Sequence, residues 1–155
     1  MEHDAAAQLG LVGRIALGLI LGAIVGWERE MQREQAGFRT YALVGLGAAL
    51  FTVASGVAFG ASAPDPTRIA AQIVTGIGFI GGGAILKEGA TIRGLSTAAS
   101  MWAVGAIGLA AGAGLWVLAI AGTALVVFAL EVLDRVERRL KRQLGMEGTP
   151  RSQPS

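Results

Sequence analysis

The residues that could do chemistry are few. The sequence has one histidine, His3, and no cysteine in 155 residues. Nucleophilic catalysis needs a base beside a hydroxyl or thiol, and the apolar part of this chain has no imidazole to supply one. Soft-metal ligation lacks its preferred ligands. A phosphate-cradling GxxxxGK[ST] loop is absent. Mg²⁺ takes oxygen ligands and keeps several waters. Asp65 is the one weak candidate for it, with no partner carboxylate in its block, so ligand geometry does not support a site. No catalytic residue, no bound cofactor and no enzymatic activity are expected. What remains are polar side chains set into or beside long apolar blocks: Arg14, Asp65, Arg68, Gln72 and Thr75, and a second group, Glu28, Arg29, Arg39, Thr40, Arg93 and Thr97. Ionisable groups at membrane depth mark pathways, pairings or partner contacts.

Those blocks define the elements. The chain is 53% hydrophobic and only 15% charged, against about a quarter charged in soluble domains. Its mean hydropathy is +0.58. A crossing helix takes about 20 apolar residues, with a range of ~17–25. Five blocks fit: Leu9–Trp27, Tyr41–Phe59, Ile69–Leu86, Thr97–Ala113 and Leu115–Leu133. The fourth is the weakest, being short and rich in small residues. The expected fold is all-α, a polytopic membrane protein of five glycine-rich helices and a short amphipathic C-terminal extension. Residues 1–8 form an outer N-tail, 9–133 the membrane domain, 134–145 a basic amphipathic helix and 146–155 a disordered tail. The N-tail MEHD lacks a basic region, which argues against a cleaved signal peptide.

Cationic residues orient the spans. With five crossings, one side receives Arg29, Arg33, Arg39, Lys87, Arg93 and the six Lys and Arg after Leu133, eleven in all, and the other side only Arg68. A re-entrant fourth block would divide them five against seven. The N-terminus is therefore expected outside, in the periplasm, and the C-terminus in the cytoplasm. Trp27, Tyr41 and Trp116 fall at span ends, where amphipathic rings settle at headgroup depth.

The sequence contains 24 glycines. Helices in lipid associate through close backbone contact rather than hydrophobic drive. Gly18, Gly22 and Gly26 form two overlapping GxxxG steps, Gly78 and Gly82 another, and Gly108 and Gly112 a third. Packing within the chain is the main reading, and a homo-oligomer seam the alternative. Arg14 either snorkels outward along its stem or pairs within the bundle. Asp65-Pro66 reads as a helix cap followed by proline at the first helical position. Arg68, Gln72, Thr75 and Phe79 then share a face, either in interhelical hydrogen bonds or lining an outward polar cavity with Asp65 at its mouth. Glu28 to Glu34 suits a helix that continues to Gly37. Ser96 or Thr97 is the expected cap of the fourth span. Leu133, Val136, Leu140 and Leu144 recur at helical spacing among basic residues, the pattern of a helix that lies on an anionic leaflet. Glu131 is placed to pair with Arg135. The solvated rim around Glu28, Arg29, Arg39, Thr40, Arg93 and Thr97 is either a salt-bridged surface or a docking surface or gate. Nucleic acid is not an expected partner; the bilayer, a membrane protein or a second copy is.

Four segments together resemble a known family: GWERE from Gly26, GFRTYALV from Gly37, DPTRIAAQIVTGIGFIGGGAIL from Asp65 and TIRGLSTAASMWAVGAIGLAAG from Thr91. They are similar to the MgtC/SapB family of bacterial inner-membrane proteins, from about Leu11 to Leu133. The resemblance implies five spans with the orientation above and a link to magnesium homeostasis and growth at low magnesium. Members are labelled magnesium transporters, and are also viewed as regulators that bind other membrane complexes, including the ATP synthase. An oligomeric transporter or channel for Mg²⁺ or another cation is accordingly the alternative to partner binding. Longer members carry a soluble C-terminal domain, whereas about twenty residues follow Leu133 here. The resemblance therefore does not extend to regulation or virulence that works through that domain.

Overall fold

A computed structural model describes residues 5–59 and 67–144. In order come α1 (Ala5–Met31), α2 (Phe38–Phe59), α3 (Thr67–Gly83), β1 (Leu86–Glu88), β2 (Thr91–Arg93), α4 (Leu95–Gly112), α5 (Trp116–Phe128), a π-helical turn (Ala129–Leu133) and α6 (Asp134–Gln143). His3, Asp65 and the tail 146–155 lie outside the described residues. Among those described, four helices are long and apolar enough to cross a membrane: Ala5–Met31, Phe38–Val57, Leu95–Gly112 and Trp116–Val136, the last running through the π turn. The third block is shorter than expected. α3 has 17 residues, because two i→i−3 bonds, Ala84 N–H to Gly81 C=O and Ile85 N–H to Gly82 C=O, tighten its end. The chain then turns into a hairpin that periodicity did not predict, with Leu86 opposite Arg93 and Glu88 opposite Thr91.

The weakest apolar block proves to be the centre of the bundle. In α4, 56% of the spanning window is buried, against 11% for the span that contains α5. Small residues make this possible. A side chain on Gly45 would run into the Gly18 carbonyl at 2.3 Å, and one on Gly22 into the Tyr41 carbonyl at 2.4 Å. A Cβ on Gly108 would likewise run into the Gly45 carbonyl, and one on Gly112 into that of Ala49. The backbones of α1, α2 and α4 thus converge on Gly45. Gly26 packs on Phe38 and Tyr41. The glycines of α3 behave otherwise. Gly78 and Gly82 have nothing within 4 Å of where a Cβ would stand, whereas Gly81 packs on Ala98. The contact face of α3 runs through Ile73, Ile77 and Gly81, and Gly78 and Gly82 turn away from it.

Both ends of α4 depend on left-handed glycines. Gly94 sits at φ 83° before its first turn, and a Cβ there would strike the Ala84 carbonyl at 2.0 Å. The cap is therefore this glycine, and neither Ser96 nor Thr97 caps with its side chain. Gly114, at φ 81°, closes the other end through the Leu115 N–H to Ala110 bond of 2.9 Å.

Substituting Gly45 by alanine is expected to destabilise the protein by about 1–3 kcal/mol through overpacking. Gly78→Ala should change stability little. Thermal unfolding of the two variants in detergent checks this contrast, and equal melting temperatures would contradict the packing described.

Candidate functional site

The first helix does not continue to Gly37. It stops at Met31, because Arg33 takes a left-handed conformation at φ 57°. Two bonds close the turn: Glu34 N–H to the Arg29 carbonyl at 3.1 Å, and Arg33 N–H to that of Glu30 at 3.0 Å. This i→i−5 and i→i−3 pair is a standard way to satisfy the last carbonyls of a helix. Its effect here is to fold Glu34 back beside Arg29.

Arg29 is 4% exposed and Glu28 8%. Arg29 Nε donates to Glu28 Oε2, and its terminal nitrogen Nη2 donates to Oε1 at 2.7 Å. Its other terminal nitrogen lies 3.6 Å from Glu34 Oε1. The second oxygen of Glu34 accepts from Thr97 Oγ1 at 3.1 Å. Thr97 is fully buried, and its carbonyl accepts from the Tyr41 hydroxyl at 3.2 Å. That hydroxyl also lies 2.6 Å from Ser100 Oγ. One continuous polar network therefore ties the end of α1 and the following turn to the starts of α2 and α4. Among the described residues, no buried side-chain polar atom lacks a partner.

Two further contacts set the entry to α2. Glu30 accepts from Phe38 N–H at 3.0 Å, so a carboxylate from α1 caps the positive end of α2. Trp27 and Phe38 meet edge to face, with ring centroids 6.2 Å apart.

The network borders a cleft of about 650 Å³. Arg29, Gln32, Glu34, Ser96 and Ser100 form its polar wall; Val126, Leu130 and Leu133, from α5 and the π turn, form the apolar one. Single π turns inside α-helices are frequent at functional sites. A second groove, about 610 Å³, runs between α2 and α3 past Thr40 and Gln72. The rest of its lining is almost wholly apolar, so the described residues do not form the polar cavity expected around Arg68 and Gln72. Arg68, Gln72 and Thr75 are exposed, and Thr75 bonds back to the Ala71 carbonyl at 2.9 Å within its own helix. Arg14 is exposed, with its guanidinium over Gly114. It makes no ion pair with a described residue.

Of the expected rim, Glu28, Arg29 and Thr97 are brought together, Thr40 is half-buried in the apolar groove, and Arg39 and Arg93 are exposed. The sequence reading missed Glu34, Ser100 and the role of Tyr41. Tyr41 does not present its ring at the surface of the bundle: it is fully buried and hydrogen-bonded. Its isolation as the sole tyrosine beside a charged segment was the available signal. No group of three His, Cys, Asp or Glu able to hold a metal occurs among the described residues.

The MgtC family model matches residues 15–139. The chain belongs to the MgtC family. Similar proteins include MgtC of Brucella abortus strain 2308, 47% identical over 148 residues, covering 96% of this chain and 58% of the relative. MgtC of Salmonella typhimurium strain 14028s is 42% identical over 135 residues, 86% of this chain and 57% of its own length. YhiD of Escherichia coli K12 is 42% identical over 133 residues, 82% and 62% respectively. This MgtC-family chain thus spans little more than half the length of these relatives. No solved structure matches it.

Arg29→Met strands two carboxylates and is expected to cost about 3–5 kcal/mol. Arg39→Met should stay within about 0.5 kcal/mol of the parent. Tyr41→Phe and Ser100→Ala should each cost about 1 kcal/mol. A double-mutant cycle in detergent, read by thermal unfolding, would show their coupling; strict additivity would deny the network.

Proposed function

We propose that this chain is an inner-membrane protein of magnesium homeostasis that binds and modulates a membrane partner at the Arg29 end of the bundle. The observation that carries this reading is the cleft there. Its ion cluster is already satisfied internally, while Arg39 and Arg93 stand exposed near the same end without an ion pair to any described residue. Between the two ends the core is glycine, alanine and aliphatic side chains at close approach, which favours binding over permeation through a single copy. The magnesium part of the reading is supported by the relatives: the name of YhiD proposes magnesium transport, and the family resemblance points the same way.

The orientation goes with this reading: five crossings, N-terminus in the periplasm, C-terminus and cleft in the cytoplasm. α3 supports it by running antiparallel to α4. Ile77 meets Gly105, Gly81 meets Ala98, and Gly94 meets Ala84. Its 17 residues make about 26 Å at ~1.5 Å per residue, within reach of a thin or slightly compressed hydrocarbon layer. The cationic residues outside the spans then fall eleven to one on the cleft side.

One observation favours the alternative, an oligomeric cation transporter or channel. Arg68, Gln72 and Thr75 line an exposed face of α3, where a second copy would cover them, and the open Gly78 and Gly82 lie on the same helix.

Liposomes that contain only this protein separate the two. No magnesium flux above empty liposomes is expected, and robust flux would establish the transporter. In cells, Arg39→Glu and Arg93→Glu should abolish growth support at low magnesium while the protein accumulates normally. Undiminished growth support by both variants would remove the docking surface from this end.

A further inference from the structure

We propose that α6 is an anionic-lipid-binding helix, held by the negatively charged headgroups of the leaflet where α5 emerges. α5 buries only Ala119 and Thr123. Leu118, Leu125 and Phe128 are turned outward, where lipid would cover them. That exposed apolar face does not stop at the end of the spanning segment. Leu133, Val136, Leu140 and Leu144 continue it, each about half exposed or more.

The backbone carries α6 straight on from α5. Ala129, Leu133 and Asp134, the residues at the junctions, are all right-handed helical, so the helix runs unbroken through the π turn. The three segments have 13, 5 and 10 residues. At ~1.5 Å per residue they make a rod of about 42 Å. The hydrocarbon core is ~30 Å and the whole bilayer ~40–45 Å. With Trp116 at one edge of the core, Val136 falls about 30 Å along the rod, near the other edge, and Leu140 about 6 Å beyond it, at headgroup depth.

There the side chains fit an anionic surface. Val136, Leu140 and Leu144 form a stripe at i, i+4 and i+8. Arg135 and Arg139 each precede a stripe residue and so flank it by about 100°. Both are exposed, as is Arg142. The Arg135–Glu131 contact of 3.0 Å is itself exposed, so it does not remove Arg135 from competition by phosphate. Among the described elements, the contacts of α6 are mainly those to the π turn that immediately precedes it in the same helix. An apolar stripe with cationic flanks, continuous with a lipid-facing helix, is what an acyl–headgroup boundary accepts.

The absence of cysteine makes the test direct. Leu140→Cys is spin-labelled in the full chain, in nanodiscs of phosphatidylcholine alone or with a third of phosphatidylglycerol. Accessibility of the label to a water-soluble relaxant should fall at least twofold in the anionic discs and return with raised salt. The triple variant Arg135→Gln, Arg139→Gln, Arg142→Gln should lose this response at unchanged melting temperature. Equal accessibility in both lipids would overturn the proposal. So would protection that vanishes when each disc holds one copy, because a second copy would then be the cover.

Discussion

Three backbones meet at one point where no side chain fits. Gly45 of α2 lies against Gly18 and Gly22 of α1, and Gly108 of α4 lies against its carbonyl. In lipid, apolar side chains gain little by exchanging acyl chains for one another, so helix association rests on contact distance and interhelical polar bonds. The convergence at Gly45 sets the distances between α1, α2 and α4. It thereby sets whether Tyr41 can reach Ser100, and whether Thr97 can reach Glu34. The polar network at the end of the bundle is a consequence of glycine spacing near its middle.

The network in turn explains how a nearly inaccessible guanidinium is tolerated. A buried charge is costly unless partners take up its hydrogen bonds. Arg29 has two carboxylates, one adjacent in sequence and one returned by the left-handed turn at Arg33. Thr97 fixes the second carboxylate, and Tyr41 fixes Thr97 through its carbonyl. Each element at this end is held by a group on another, which gives the apolar wall of the cleft, from α5 and the π turn, a firm surface to face.

Much of this was legible in the sequence, unevenly. The four long spans, the Gly18–Gly22–Gly26 face and the Glu131–Arg135 pair could be read from spacing. Family membership was legible in four ordered motifs. The rest depended on long-range geometry. GxxxG spacing marks a stripe but not what faces it, so Gly78 and Gly82 looked equivalent to Gly18 and Gly22. Non-glycine residues seldom adopt left-handed φ, so the stop at Arg33 had no local sign. The hairpin between α3 and α4 is only three residues per strand, too short for alternation to register. Low hydropathy made α4 look marginal, when small side chains are what a central helix needs.

The charge cluster has a consequence for biogenesis. Glu28, Arg29 and Glu34 all belong to α1 and the turn that follows it, so the cation meets both counter-ions before any of α4 has been synthesised. A nascent hairpin of α1 and α2 can then move sideways out of the insertion machinery with its costliest group already neutralised, and the later arrival of Thr97 completes an arrangement that did not have to wait for it.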